Sequence, residues 1–264
     1  MQTPEVSVII VAYNSENFIE RCIRSVLKYE PNCELIVFDN NSSDKTIDRV
    51  KLLESRVKII ESDVNLGFAR ANNNAVKMAT GNFLFFLNPD TELTMPVVNK
   101  LIEFYEITPN VGLIAPKLEM VNGKIQTSVR KLPTVFGAFK EFILGMKGEY
   151  SEYVPGMEDP TEVEMVYGAA ILIKKDLFEK LGGFDGRYFL YYEDIDLCRR
   201  VRQLGKKVYF HPKVTIKHLL GGTGSEVNKY ELNLKSARIY HGLIGSILLQ
   251  SIFLIRKILN KTRG

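Results

Sequence analysis

A chain of 264 residues, 45% hydrophobic and 25% charged, has the length for one large core or a core with an appendage, and this composition excludes disordered, fibrous and disulfide-stapled classes. Its 35 Lys and Arg against 31 Asp and Glu leave a net charge of +4, with no basic stripe of the kind a nucleic-acid partner requires. Cys22, Cys33 and Cys198 are too widely spaced for a zinc or redox pair and read as thiols of a reducing compartment. The opening MQTPEVSVII runs straight into an apolar strand without a basic region or a cleavage site, so no export is expected.

The run Val6–Ala12 is β-branched and of strand length, and Asn14 and Ser15 then cap a helix carrying Ile19, Ile23, Val26 and Leu27. A second strand at 35–38 (LIVF) turns through DNNSSD into a helix with Ile47, Val50 and Leu53, and a third opens at 57–60. The fourth, 83–87 (FLFFL), precedes Asn88-Pro89-Asp90, after which a helix over 96–105 leads to a strand at 111–115. Uniformly apolar strands alternating with helices predict an α/β fold with a parallel sheet covered on both faces.

In such a sheet ligands bind beyond the carboxyl ends of the strands. Tyr13, Asp39 and Asp90 fall there: an aromatic face to stack on a base, a carboxylate for base or ribose, and a carboxylate for a hard cation. The two carboxylates also have plainer readings, since Asn88-Pro89-Asp90-Thr91 suits a turn and Asp39 an Asx-turn.

Past Pro116 the pattern changes. Asn122-Gly123 marks a hairpin, residues 130–160 are irregular with an amphipathic piece over 135–146, and a strand follows at 165–173 (MVYGAAILI). A short helix at 177–181, the Gly182-Gly183-Phe184-Asp185 turn and a helix opened by Glu193, Asp194 and Asp196 come next. First-turn carboxylates favour the helix dipole whatever else they do. Helical spacing separates them: Asp194 shares a face with Leu197, Cys198 and Val201, whereas Asp196 shares one with Arg199, Arg200 and Gln203 and is expected to meet solvent and arginines. A carboxylate on an apolar face is costly without a partner or a task, which makes Asp194 the candidate general base. His218 ends a strand beside the glycine-rich 221–225 loop and suits either a diphosphate or metal contact or a structural role; His211 and His241 offer less. No G-x-G-x-x-G, Walker or G-x-S-x-G motif is present.

Together, VSVIIVAYNSENFIERCIRSVL, LIVFDNNSSDKT, NLGFARANNNAV, GNFLFFLNPDTEL, the segment from YGAAILIKK to CRRVRQLG, and VTIKHLLGGTGS resemble glycosyltransferase family 2. They are most similar to its rhamnosyltransferase-like subgroup of bacterial surface polysaccharide assembly. The resemblance covers about residues 6–240 and is weakest over 121–164, where the acceptor-side structure is expected. It implies a GT-A fold: a Rossmann-like, mostly parallel central sheet with helices on both faces, a small acceptor-side substructure and a C-terminal helix. The catalytic domain would be 1–225 and the helical extension 226–264.

The resemblance further implies inverting transfer of a rhamnose-type sugar from a dTDP- or UDP-linked donor to a hydroxyl of a saccharide or polyprenyl-linked acceptor, with Mg2+ or Mn2+. Tyr13 would stack on the pyrimidine and Asp39 bond the base, while Asn65, Gly67, Arg70 and Asn73 would line the diphosphate. Asp90, supported by Asn88 where the family's Asp-x-Asp motif has its first acid, and His218 would hold the metal. Asp194, second of the Glu193-Asp194 pair, would be the base. A sugar-phosphate nucleotidyltransferase is the competing enzyme, but the chain has AYNSEN where that class carries a glycine-rich, Arg-containing loop. A non-catalytic carbohydrate-binding relative would not need Asp90 and Asp194, and both are present.

The apolar stretch 242–255 is shorter than a bilayer span and interrupted by Ser246, Gln250 and Ser251. Followed by Arg256, Lys257, Lys261 and Arg263, it suits peripheral attachment to the inner face of the cell membrane in an otherwise cytoplasmic protein, and equally packing on the core or in a homodimer.

Overall fold

The structure, a computed structural model, describes residues 5–219 and 228–261. The glycine-rich loop at 221–225, the Lys261 side chain and Arg263 lie outside the described residues.

Strands β1 (Val6–Ala12), β2 (Glu34–Asp39), β3 (Lys58–Glu61) and β4 (Phe83–Leu87) run parallel in the order β3-β2-β1-β4. Every residue of β1 and β4 is buried. Because side chains alternate across a strand, Val8, Ile10, Val37 and Phe85 belong to one core layer, with residues of helices α1 (Ile19–Tyr29), α2 (Thr46–Lys51) and α4 (Val98–Ile107). Ile9, Val11, Ile36, Phe38 and Phe86 belong to the other, with α3 (Gly67–Val76), α6 (Lys175–Lys180) and α7 (Glu193–Gln203). The sheet is therefore covered on both faces, as the apolar runs require.

Beyond β4 the strand direction reverses. Strand β10 (Ala170–Lys174) lies antiparallel to β4 and to β6 (Val111–Met120), and β11 (Lys207–His218) runs parallel to β6. The short strands β5 (Thr91–Leu93) and β8 (Thr161–Val163) both pair antiparallel with β11. A separate ribbon pairs β7 (Val129–Arg130) with β9 (Met165–Val166). Gly123 turns the expected hairpin at φ 76°.

The expected strand at 165–173 is in fact two, β9 and β10, with Tyr167-Gly168-Ala169 between them. The backbone groups of this gap find partners off the strand: Tyr167 N–H donates to Ser128 O, Gly168 N–H to Asp194 Oδ2, and Ala169 O accepts from Asn88 N–H. The break thus ties the ribbon to two sites of interest.

The expected amphipathic piece contains α5 (Val135–Phe142), capped by the Thr134 hydroxyl. It packs against α8 (Lys229–Lys261), which turns at Gly242 (φ 72°, ψ 175°). Leu249 and Ile252 join Ala138 and Tyr150 in a small core of their own. The helix extends well beyond the apolar stretch seen in the sequence, and by length and composition Lys229–Leu259 could cross a membrane.

Candidate active site

One open cavity of about 1290 Å³ lies at the carboxyl ends of the parallel strands. It exceeds the ~300 to 1,000 Å³ typical of a single small-ligand pocket. Tyr13, Asn65, Gly67, Asn88, Asp90, Glu193, Asp194 and His218 all line it. Residues separated by some 200 positions therefore share one hollow.

At one end, Asn40 accepts from Leu66 N–H and donates to Asn65 Oδ1, which in turn accepts from Gly67 N–H. This chain of bonds shapes the wall below Tyr13. Gly67 sits at φ 76°, and a Cβ there would lie 2.4 Å from Phe189 O, so its glycine is dictated by the close passage of the Phe189 backbone.

Three residues expected around the nucleotide are not on the cavity wall. Arg70 donates to Gly186 O, and Asn73 exchanges two bonds with the Phe184 backbone, so both brace the loop that leads into α7. Their spacing on α3 points them at that loop. Asp39 is buried at the end of β2; Oδ2 accepts from Ser42 N–H as the Asx-turn reading anticipates, and Oδ1 has no partner among the described residues.

In the middle, the Asn88–Thr91 turn is fixed from both sides. Asn88 O accepts from the Thr91 hydroxyl at 2.7 Å, and Cys22 Sγ of α1 approaches the same oxygen at 3.6 Å. Asp90 Oδ1 lies 3.2 Å from His218 Nε2, while His218 Nδ1 lies 2.7 Å from Gln126 Oε1. Antiparallel pairing of β5 with β11 places Thr91 opposite His218, which is why the two come together.

At the other end, Asp194 opens α7. Its Oδ2 accepts from Gly168 N–H at 3.0 Å and its Oδ1 from Ile195 N–H at 2.7 Å. Burial raises its carboxyl, and these backbone donors with the charge of Arg130 pull it back. Burial and the neighbouring Asp194 push Glu193 well above the usual range, and its Oε2 is buried with no partner among the described residues. Of the pair, Glu193 is the one whose neutral form burial and its neighbour favour, while Asp194 has the backbone donors that favour its anion.

Tyr191 and Tyr192, immediately before this helix, both adopt φ 70°. Two bulky residues in the left-handed region cost roughly 1–3 kcal/mol each, a strain that clusters at functional sites. It is held by Tyr192 packing on Tyr240 and His241 of α8, and by the Ser236 hydroxyl on Leu190 O. Asp196 differs from expectation. It does pair with Arg199 and Arg200, each at 2.6 Å, but it is only 1% exposed, because Arg200 also bonds Leu181 O and Gly183 O and closes the loop over it.

Sequence reasoning passed over Gln126, Arg130, Tyr150, Tyr167 and the α8 side of the cavity. A signal existed in Arg130, a cation at the edge of an aromatic-rich irregular segment.

A family model described as "Glycosyl transferase family 2" matches residues 7–182, more than half of the chain. This chain belongs to glycosyl transferase family 2. Among its curated relatives, an N-acetylglucosaminyl-diphospho-decaprenol L-rhamnosyltransferase of Mycobacterium tuberculosis is 24% identical over 99% of this chain and 96% of its own length. The rhamnosyltransferase WbbL of Escherichia coli is 26% identical over 78% of this chain and 80% of its own. The fold matches the crystal structure of GalNAc-T7 with UDP, GalNAc and Mn2+ at a TM-score of 0.63 and 17% identity, covering 92% of this chain and 52% of that one. The chain is a glycosyltransferase with the mostly parallel α/β architecture of the GT-A class.

The donor set of this family 2 site fits a hard divalent ion. Asp90 brings a carboxylate, His218 an imidazole, and Asn88 Oδ1 is buried without a partner among the described residues. Among the described residues no group of three acidic, His or Cys side chains converges. Such a site needs ligands from outside the protein, which is how Mg2+ is usually held, by one or two carboxylates plus substrate phosphates.

Proposed function

We propose that this family 2 enzyme moves a rhamnose-type sugar, with inversion, from a dTDP- or UDP-linked donor to a hydroxyl of a lipid-linked saccharide, in surface polysaccharide synthesis. The observation that carries this reading is the shared cavity: Asp90 with His218, and a backbone-anchored Asp194, face the same space.

In this reading Tyr13 stacks on the base, and the Asn65–Gly67 turn lies along the diphosphate. Asp90 and His218, with Asn88 Oδ1, would hold Mg2+ or Mn2+, which supplies positive charge to the departing diphosphate. Asp194 accepts the proton of the acceptor hydroxyl. The freed oxygen pair bonds the anomeric carbon on the face opposite the diphosphate, the carbon–oxygen bond to phosphate breaks, and its electrons leave with the nucleotide. A carboxyl raised by burial is a stronger base than an exposed one, and the two backbone N–H groups hold its oxygens in place. Glu193, protonated beside it, keeps a second negative charge out of the site.

The tail supports peripheral membrane contact. Helix α8 is apolar on two sides: Leu249 and Ile252 turn inward, while Leu243, Ile244, Ile247, Leu248 and Leu254 are exposed. A helix apolar all round is suited to a non-aqueous neighbour. Residues of this same helix line the cavity, so a lipid-borne acceptor would enter from the bilayer side, at the inner face of the membrane.

A donor screen over dTDP-rhamnose, UDP-galactofuranose and UDP-glucose, with and without chelator, tests the reading. Release of dTDP with rhamnose linked in inverted configuration, read by NMR coupling of the product, is the expected result. Retention of configuration, or nucleoside triphosphate consumption with pyrophosphate release, would overturn it.

A further inference from the structure

Arg130 ends β7 with its guanidinium in the cavity wall, 4.6 Å from the centre of the Tyr150 ring. Two of its three nitrogens, Nε and Nη2, are buried with no partner among the described residues. A guanidinium presents a rigid planar fork suited to carboxylate or phosphate oxygens, and stacking on a ring fixes its direction. Leaving such donors unbonded and out of water costs stability, so the arrangement makes sense when an anion completes it.

The cavity is also ordered by polarity. Asp194 lies at one point, and the charge of Arg130 bears on it. Tyr150 links Arg130 to α8, packing in one core with Leu249 and lying 5.8 Å, ring to ring, from Phe253. From there the exposed apolar face of α8 begins, with Leu254 on the cavity wall. Base, cation and hydrocarbon surface thus succeed one another, which is the order of sugar, phosphate and chain in an amphiphilic sugar phosphate.

We infer that Arg130 is the acceptor-phosphate residue: its guanidinium fork takes the phosphate or diphosphate of a lipid-linked saccharide whose sugar reaches Asp194 and whose chain lies along α8. This rests on the lipid-linked acceptor proposed above and assigns a residue to it. In the proposed function the donor diphosphate is served separately, by Asp90 and His218 in the middle of the cavity.

Calorimetric titration of the full chain with geranyl diphosphate and with geraniol, in chelator so that no metal bridges a diphosphate to Asp90, tests the assignment. Wild type should bind the diphosphate about 10- to 100-fold more tightly than the alcohol, the value of a charge-assisted fork. Arg130→Gln should erase that preference, and Arg130→Lys, which keeps the charge and loses the fork, should retain part of it. Equal preference in wild type and both variants would overturn the assignment. UDP binding with Mn2+ should be unchanged in both variants, which checks their folding; if Arg130→Gln loses it, Arg130→Lys decides. A comparison of turnover on a sugar diphospholipid with turnover on the same sugar carried by a neutral alkyl chain separates the two proposals. If wild type uses neither, the acceptor reading fails while the titration still reports on Arg130. If Arg130→Gln slows both equally, Arg130 acts through Asp194 and not on phosphate.

Discussion

The two ends of the cavity are built by different means. The end proposed for the donor hangs on the carboxyl ends of β1 and β4 and on the turn after β2, where Tyr13, Asn40 and Asp90 are positioned by strand register and by short-range bonds. The end proposed for the acceptor is assembled from the β7–β9 ribbon, α5, the strained Tyr191-Tyr192 step and α8, which meet through long-range packing and the Ser236–Leu190 hydrogen bond. Under the proposed function, rigid register would supply a common platform for an activated sugar, and the looser assembly would leave room for the acceptor to differ.

The sharpest way to break this division is at Asp194, where the two halves meet. Asp194→Asn keeps the shape and the Ile195 N–H bond within reach but removes the proton acceptor, and kcat should fall about 10²- to 10⁴-fold. Nucleotide affinity, measured by calorimetry with Mn2+, should be untouched because the donor end is separately built. Wild-type turnover in this variant would remove Asp194 from the mechanism. In the wild-type enzyme the raised carboxyl also predicts that log kcat climbs with pH above the ordinary aspartate range before levelling. That rising limb should be absent from the residual activity of the Asn variant.

Next in size is Gln126→Ala. Gln126 Oε1 fixes His218 Nδ1, and losing an outer-shell partner of a metal ligand typically costs 10- to 100-fold in metal affinity. The Mn2+ concentration for half-maximal turnover should rise by that factor while turnover at saturating metal stays near wild type. No change in the metal titration would place His218 outside the metal site.

Ile244→Asp tests the outer surface of the acceptor end. Ile244 is 75% exposed, so the fold should tolerate the change. Withdrawing one such side chain from a bilayer costs about 1.5–3 kcal/mol, so binding to anionic vesicles should weaken about tenfold or more. A point substitution is preferable to truncation after Gly242, because Leu249 and Ile252 support α5 and Tyr150. Vesicle binding equal to wild type would assign this face to another partner.

The contrast between the two ends also explains how much of each is legible in the sequence. The strands β1, β2 and β4 announce themselves by apolar runs, and a strand whose end is known fixes the place of the residues just past it, so Tyr13 and Asp90 can be read directly. Helical spacing gives the inward face of Asp194 for the same local reason. It fails for Asp196, because burial there depends on Arg200 reaching across to Leu181 and Gly183. Arg70 and Asn73 are misplaced likewise: their partners are over 100 positions away. Arg130 and Tyr150 lie in a segment without periodicity: a cation beside aromatic residues is a local signal, but only long-range packing brings the Arg130 guanidinium onto the Tyr150 ring beneath α8.

The smallest effect concerns the strain that the acceptor end tolerates. Burial and Asp194 raise the Glu193 carboxyl in the folded chain well above its unfolded value, so the folded state binds the extra proton. Its contribution to stability is therefore complete at pH values below the ordinary glutamate range and is lost as the pH climbs toward the raised value. Glu193→Gln mimics the protonated form and should remove that loss. The variant should melt about 2–4 °C higher than wild type near pH 8 if about 1 kcal/mol is recovered, with the gap closing toward pH 4, as scanning calorimetry at the two pH values can show. A gap that stays constant with pH would mean that the amide helps by packing, and that Glu193 is not the proton-holding partner of Asp194.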